Sequence, residues 1–106
     1  MFFEHREYRI KPGQRERMVK LMEEEVIPFQ VSMGIVVVGS FVAIDDPDLY
    51  VWIRRFDSEE EAERLYKEVY DSDSWKTEIG PQVGEILDRE SIRVTRLEAT
   101  PKSVIR

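Results

Sequence analysis

The stretch from Ile35 to Phe56 leaves this chain few ways to fold. IVVVGSFVAI (Ile35 to Ile44) is dense in β-branched residues, Asp45-Asp46-Pro47-Asp48 is a turn, and LYVWIRRF (Leu49 to Phe56) runs back as a second strand. Two strands this close in sequence pair as an antiparallel hairpin. The first has few polar groups on either face and is expected to be buried on both sides, with Gly39 marking a bulge or a close backbone approach. Alternation in the second puts Tyr50, Trp52, Arg54 and Phe56 on one face and Leu49, Val51, Ile53 and Arg55 on the other.

A helical pattern stands on each side of the hairpin. Before it, Met18, Leu21, Met22, Val26, Phe29 and Met33 recur at spacings of three and four. Pro28 should kink or shorten that helix and Gly34 should end it. After it, Ser58 and Glu61 form the Ser-x-x-Glu start signal, and Ala62, Leu65, Tyr66, Val69 and Tyr70 make the apolar stripe. Glu59, Glu60 and Glu61 read as a solvated first turn favoured by the helix dipole. DSDSW (Asp71 to Trp75) breaks this helix. Trp75, Ile79, Val83 and Leu87 then predict a broken helix interrupted by Gly80-Pro81 and Gly84.

Strands close both ends. FFEHREYRI (Phe2 to Ile10) runs into the Lys11-Pro12-Gly13 turn, and SIRVTRLEA (Ser91 to Ala99) alternates before an exposed or swapped tail, TPKSVIR. The order β-α-β-β-α-β, with a helical insertion before the last strand, is the split βαβ pattern of α+β ferredoxin-like folds, with an antiparallel sheet in the order 4-1-3-2. The 106 residues suit one domain, residues 1–106.

The first strand is unusual because neither face is apolar. Glu4, Arg6, Tyr8 and Ile10 share one side; Phe3, His5, Glu7 and Arg9 share the other. Sheet order makes the Glu4 side continuous with Tyr50, Trp52, Arg54 and Phe56. The expectation is that this shared face points away from the helices, leaving aromatics that a second copy would cover in a homodimeric barrel. His5, Glu7 and Arg9 would then face the helices.

The remaining composition narrows the chemistry. A net charge of −6, with no basic cluster interleaved with aromatics, excludes nucleic acid as a partner. With no cysteine there is no thiolate nucleophile and no Cys-bearing zinc site, and a reducing cytoplasm is the natural compartment. The single histidine, His5, lacks a nucleophile-elbow serine, two-histidine metal sites need a second chain, and no glycine loop for phosphate exists. No metal and no cofactor are expected. MFFEHRE lacks the pattern of a signal peptide, and the longest apolar run, Ile35 to Val38, is too short to span a bilayer. A soluble protein is expected, with no membrane partner.

FEHREYRIKPG resembles the opening of the NIPSNAP family, in which a Glu-x-Arg-x-Tyr strand enters a Pro-Gly turn. VWIRRF and VYDSDSW are similar to that family's Trp-Leu-Arg-x-Phe strand and Tyr-x-Ser-x-x-Trp element, and TPKS fits its close. The resemblance implies a dimeric α/β barrel, in a superfamily that also holds cofactor-free monooxygenases, haem-degrading enzymes, lactone isomerases and stress-response proteins. Two positions depart from it. His5 stands where an aliphatic residue is usual, and the arginine expected at position 62 is Ala62, with Arg64 the nearest.

The residues that match the motifs are Glu4, Arg6 and Tyr8, expected as catalytic or proton-handling groups, and Trp52, Arg54 and Trp75, expected to hold substrate. Two readings stand side by side. In one, arginines bind an anionic oxygen and aromatics hold a small flat body, either in a binding protein or in a cofactor-independent monooxygenase, isomerase or cyclase. In the other, the charges form an ion-pair network that fixes dimer register.

Overall fold

A computed structural model describes residues 1–106. Its elements are β1 (Phe2–Ile10), α1 (Arg15–Leu21), a π-helical segment (Met22–Val26), α2 (Ile27–Ser32), β2 (Val36–Val42), β3 (Leu49–Phe56), α3 (Glu59–Tyr70), a second π-helical segment (Ser74–Ile79), α4 (Gly80–Ile86) and β4 (Leu87–Leu97). The strands form one antiparallel sheet in the order β2-β3-β1-β4. This is the ferredoxin-like α+β arrangement expected, and it puts the charged strand β1 in the centre.

Proline explains both helical irregularities. The first helix runs from Arg15 to Ser32 without a break, but its hydrogen bonds widen to π spacing over Met22–Val26, just ahead of Pro28. A proline ring clashes with the preceding turn and supplies no N–H, and the wider turn absorbs both defects. The same solution recurs at Ser74–Ile79, just ahead of Pro81. Gly34, at φ +105°, ends the first helix in a conformation that costs a side-chain-bearing residue dearly. Ser58 caps α3 by accepting the Glu61 N–H at 3.0 Å, while Glu61 reaches back to the Asp57 N–H at 3.0 Å.

Three expectations are corrected. The strand faces are grouped as alternation requires, but the helices cover the opposite side from the one expected. Tyr8, Ile10, Tyr50 and Trp52 pack with Met18, Leu21, Met22 and Val26 of the helical layer, and Phe56 packs with Ala62, Leu65 and Val69. The large aromatics are the helix-facing core, and the open face carries His5, Glu7 and Arg9, with Arg9 paired to Asp46 at 2.5 Å. Alternation assigns residues to common faces without saying which face the helices take; burying four large side chains decides it.

Second, β2 is not buried on both sides. It is an edge strand, with Val36 47% and Phe41 52% exposed. Third, Leu87 does not continue a helix but begins β4, which is longer than expected. The pairing slips between Glu7↔Arg93 and Arg9↔Asp88, so the chain around Arg89 and Ile92 bulges out of the ladder.

On the open face the last residues turn back beside β4, where Ala99, Ser103 and Ile105 share a groove with Phe3, Ile53 and Leu97. No helix is long and apolar enough to cross a membrane.

Candidate functional site

Between the sheet and the helical layer lies a cleft of about 140 Å³. The central strands supply Arg6, Tyr8 and Trp52 as its floor. The first π segment adds Met22 and Val26, α3 adds Tyr70, and the second π segment adds Trp75. Val83 of α4 and the β4 residues Leu87, Arg89 and Ile92 complete the wall. Both π segments thus meet at the cleft, and such insertions are frequent at functional sites.

Behind the floor lies a buried charge network. Glu4 is 1% exposed and Arg54 is fully enclosed. Glu4 Oε1 accepts from Arg54 Nη2 at 2.5 Å, Arg54 Nε at 3.2 Å and Arg6 Nη1 at 3.0 Å. Arg54 Nη1 donates to Gln30 Oε1 at 2.7 Å and to the Tyr70 hydroxyl at 2.9 Å. The guanidinium also lies 4.9 Å from the Trp52 ring centroid and 5.1 Å from that of Tyr66. A buried charge requires this degree of pairing. The cluster holds one carboxylate against two guanidiniums, and the unbalanced positive charge lies at Arg6, on the cleft.

Arg6 Nε donates to the Tyr8 hydroxyl at 2.7 Å, and Arg6 Nη2 has no partner in the chain. Burial works against the Arg6 charge, but the Tyr8 and Tyr70 phenols once ionised, together with the Glu4 carboxylate and the Tyr8 hydrogen bond, outweigh it and raise its pKa, so it is always charged. Burial raises the Tyr8 phenol above its ordinary value and Tyr70 adds to this; the opposing pull of Arg6 is smaller. Tyr8 is therefore a neutral hydroxyl that accepts from Arg6 and keeps its own proton to donate. The Trp52 indole N–H is buried without an acceptor; it lies close enough to Tyr8 to lower that phenol's pKa slightly, without forming a hydrogen bond to it. Arg6, Tyr8 and Trp52 together bring donors, and no carboxylate lines the cleft. The arrangement suits an anionic or strongly accepting oxygen.

Of the residues singled out in the sequence, Arg6, Tyr8, Trp52 and Trp75 line the cleft, whereas Glu4 and Arg54 lie behind it. His5 is on the far side of the sheet, paired with Ile53 and Thr95. Tyr70, Arg89 and the aliphatic wall escaped sequence reasoning. Tyr70 stands in the VYDSDSW motif and could have been taken from it; nothing in the local sequence marks Arg89, which only the β4 bulge brings here. No three His, Cys, Asp or Glu side chains gather in a way that could hold a metal ion.

The NIPSNAP family model matches residues 3–101, nearly the whole chain and every element that builds the cleft. The chain belongs to the NIPSNAP family. Solved NIPSNAP structures share its fold throughout. A NIPSNAP family protein from Agrobacterium tumefaciens is 23% identical, with 99% of this chain and 98% of that one covered and a TM-score of 0.88. Another from the same organism, a NIPSNAP family protein with unknown function, is 24% identical over 100% of this chain and 94% of that one, with a TM-score of 0.89. Beyond the family, a putative antibiotic biosynthesis monooxygenase from Nitrosomonas europaea is similar in fold, at 12% identity over 93% of this chain and 98% of that one and a TM-score of 0.70. None of the curated proteins matches this NIPSNAP chain.

Proposed function

We propose that this NIPSNAP protein is a homodimeric cytoplasmic binding protein, each protomer of which holds one small, flat, anionic molecule in its cleft. The observation that carries this reading is the pairing of Arg6, Tyr8 and Trp52 donors with a wall that is apolar and aromatic apart from Arg89 and contains no carboxylate. The aromatic walls suit a planar body, and the donors suit an oxygen that bears charge.

Binding has more support here than catalysis. A cofactor-independent oxygenase, isomerase or cyclase of this fold needs a group to take a proton from its substrate. Tyr8 is held protonated, Glu4 Oε1 is engaged by Arg6 and Arg54, and His5 faces the other side of the sheet. The dimer is supported by the apolar side chains left on the open sheet face, and the cytoplasm by a chain without cysteine.

A thermal-shift panel of flat carboxylic acids and equally sized amines tests the proposal. Acids are expected to raise the melting temperature of the wild-type protein and to lose that effect in Arg6→Gln. Stabilisation by amines and not acids, or by neither, would overturn it.

A further inference from the structure

Gly80 and Gly84 lie four residues apart on α4 and so share one face of that helix. A Cβ at Gly80 would come within 2.8 Å of the Trp75 carbonyl oxygen and 3.1 Å of its indole nitrogen. One at Gly84 would come within 3.0 Å of Arg89 Nη2 and 3.1 Å of its Nε. Neither glycine has a positive φ, so the backbone conformation does not call for them. Each weakens a helix relative to alanine. What they make room for is a pair of cleft-lining side chains. The Arg89 guanidinium lies against the bare face of α4, donating from Nη2 to the Gly80 carbonyl at 2.8 Å.

Arg89 makes no salt bridge in the chain, although the protein carries a net charge of −6. It is exposed where Arg6 is largely enclosed, which places it at the mouth of the cleft and Arg6 at its floor. The cleft's volume, about 140 Å³, sets the size of its occupant. An apolar cavity of about 150 Å³ accepts one benzene ring.

We infer that the ligand is a one-ring aromatic carboxylate, of the size of benzoate, and that Arg89 selects it over neutral molecules of the same shape. Gly80 and Gly84 are the positioning residues that hold Trp75 and Arg89 for this purpose. The inference rests on the reading of the cleft as a ligand site.

The only two tryptophans, Trp52 and Trp75, both line the cleft, so their emission reports directly on its occupancy. Benzoate and benzyl alcohol, titrated into wild-type protein, Arg89→Met and Gly84→Ala, separate charge from shape. Benzoate is expected to bind the wild type about tenfold more tightly than benzyl alcohol, as one charge-assisted hydrogen bond allows. Arg89→Met should narrow the gap between the two affinities, with Arg6 keeping part of the preference, without weakening benzyl alcohol. Gly84→Ala should narrow the preference in part, because its Cβ makes the guanidinium give way by a few tenths of an ångström while keeping its charge, and it supplies the comparison if Arg89→Met does not fold. An unchanged benzoate preference in the variants would overturn the role of Arg89 and leave the cleft reading standing. Failure of both probes to perturb wild-type emission would overturn the cleft reading as well.

Discussion

The identity of a single buried residue decides how the centre of this protein is held. Arg54 is fully enclosed, stacked among aromatic rings and bonded to Glu4, Gln30 and Tyr70. Arg54→Met would fill most of the space but leave Glu4 buried with Arg6 as its one charged partner. Removing one partner of a buried ion pair costs about 3–5 kcal/mol. A urea midpoint lowered accordingly is expected, with part of the loss recovered in Arg54→Met/Glu4→Gln. Tyr8 and Tyr50 make the second prediction. Burial raises both phenols above their ordinary value. Above about pH 10 the unfolded chain releases protons that the folded chain keeps, so the slope of stability with pH is negative there. Their contribution should be fully present below pH 10 and decline as pH rises beyond it, a trend that urea denaturation across the alkaline range would show. At this scale the sequence was informative: alternation within β1 and β3, joined by the expected sheet order, put Glu4, Arg6, Tyr8, Trp52 and Arg54 on one face, as the structure has them. Which of them touch the cleft was not legible, because that depends on where the helices lie.

Among the elements, the two π segments tie local chemistry to the site. Each precedes a proline, and each aims side chains into the cleft: Met22 and Val26 from one, Trp75 from the other. The sequence showed that Pro28 and Gly80-Pro81 would disturb a helix, and it did not show that the disturbance would be a widened turn. A kink and a π bulge relieve the same clash, and the packing above them selects between the two. Gly80 is the tightest point, since a Cβ there meets a backbone oxygen, which has little freedom to move. Gly80→Ala should therefore cost about 1–3 kcal/mol, as overpacking does. It should also shift tryptophan emission by moving Trp75, which differential scanning calorimetry and fluorescence would record together.

For the whole molecule, the open sheet face is the feature to test. Val36, Phe41 and Leu97 are each at least 41% exposed there, with Val51 and Ile53 partly covered between them. This apolar surface is the one on which the proposed dimer would pack. If the proposed dimer forms through this face, Phe41→Glu should shift the protein to monomer in analytical ultracentrifugation while leaving the cleft's tryptophan emission unchanged, because Phe41 lies across the sheet from the cleft.

By itself the sequence determined the order of elements, the ferredoxin-like sheet with β1 at its centre, and which side chains share a face. These follow from periods of two and 3.6 and from turn and cap residues, all of which act over a few neighbouring positions. The tertiary structure alone decided which face the helices cover, that Glu4 and Arg54 lie behind the cleft, and that Arg89 reaches its mouth. Those outcomes depend on contacts between residues distant in the chain and on a register slip in β4, where local preference is silent and the packing of large side chains sets the answer.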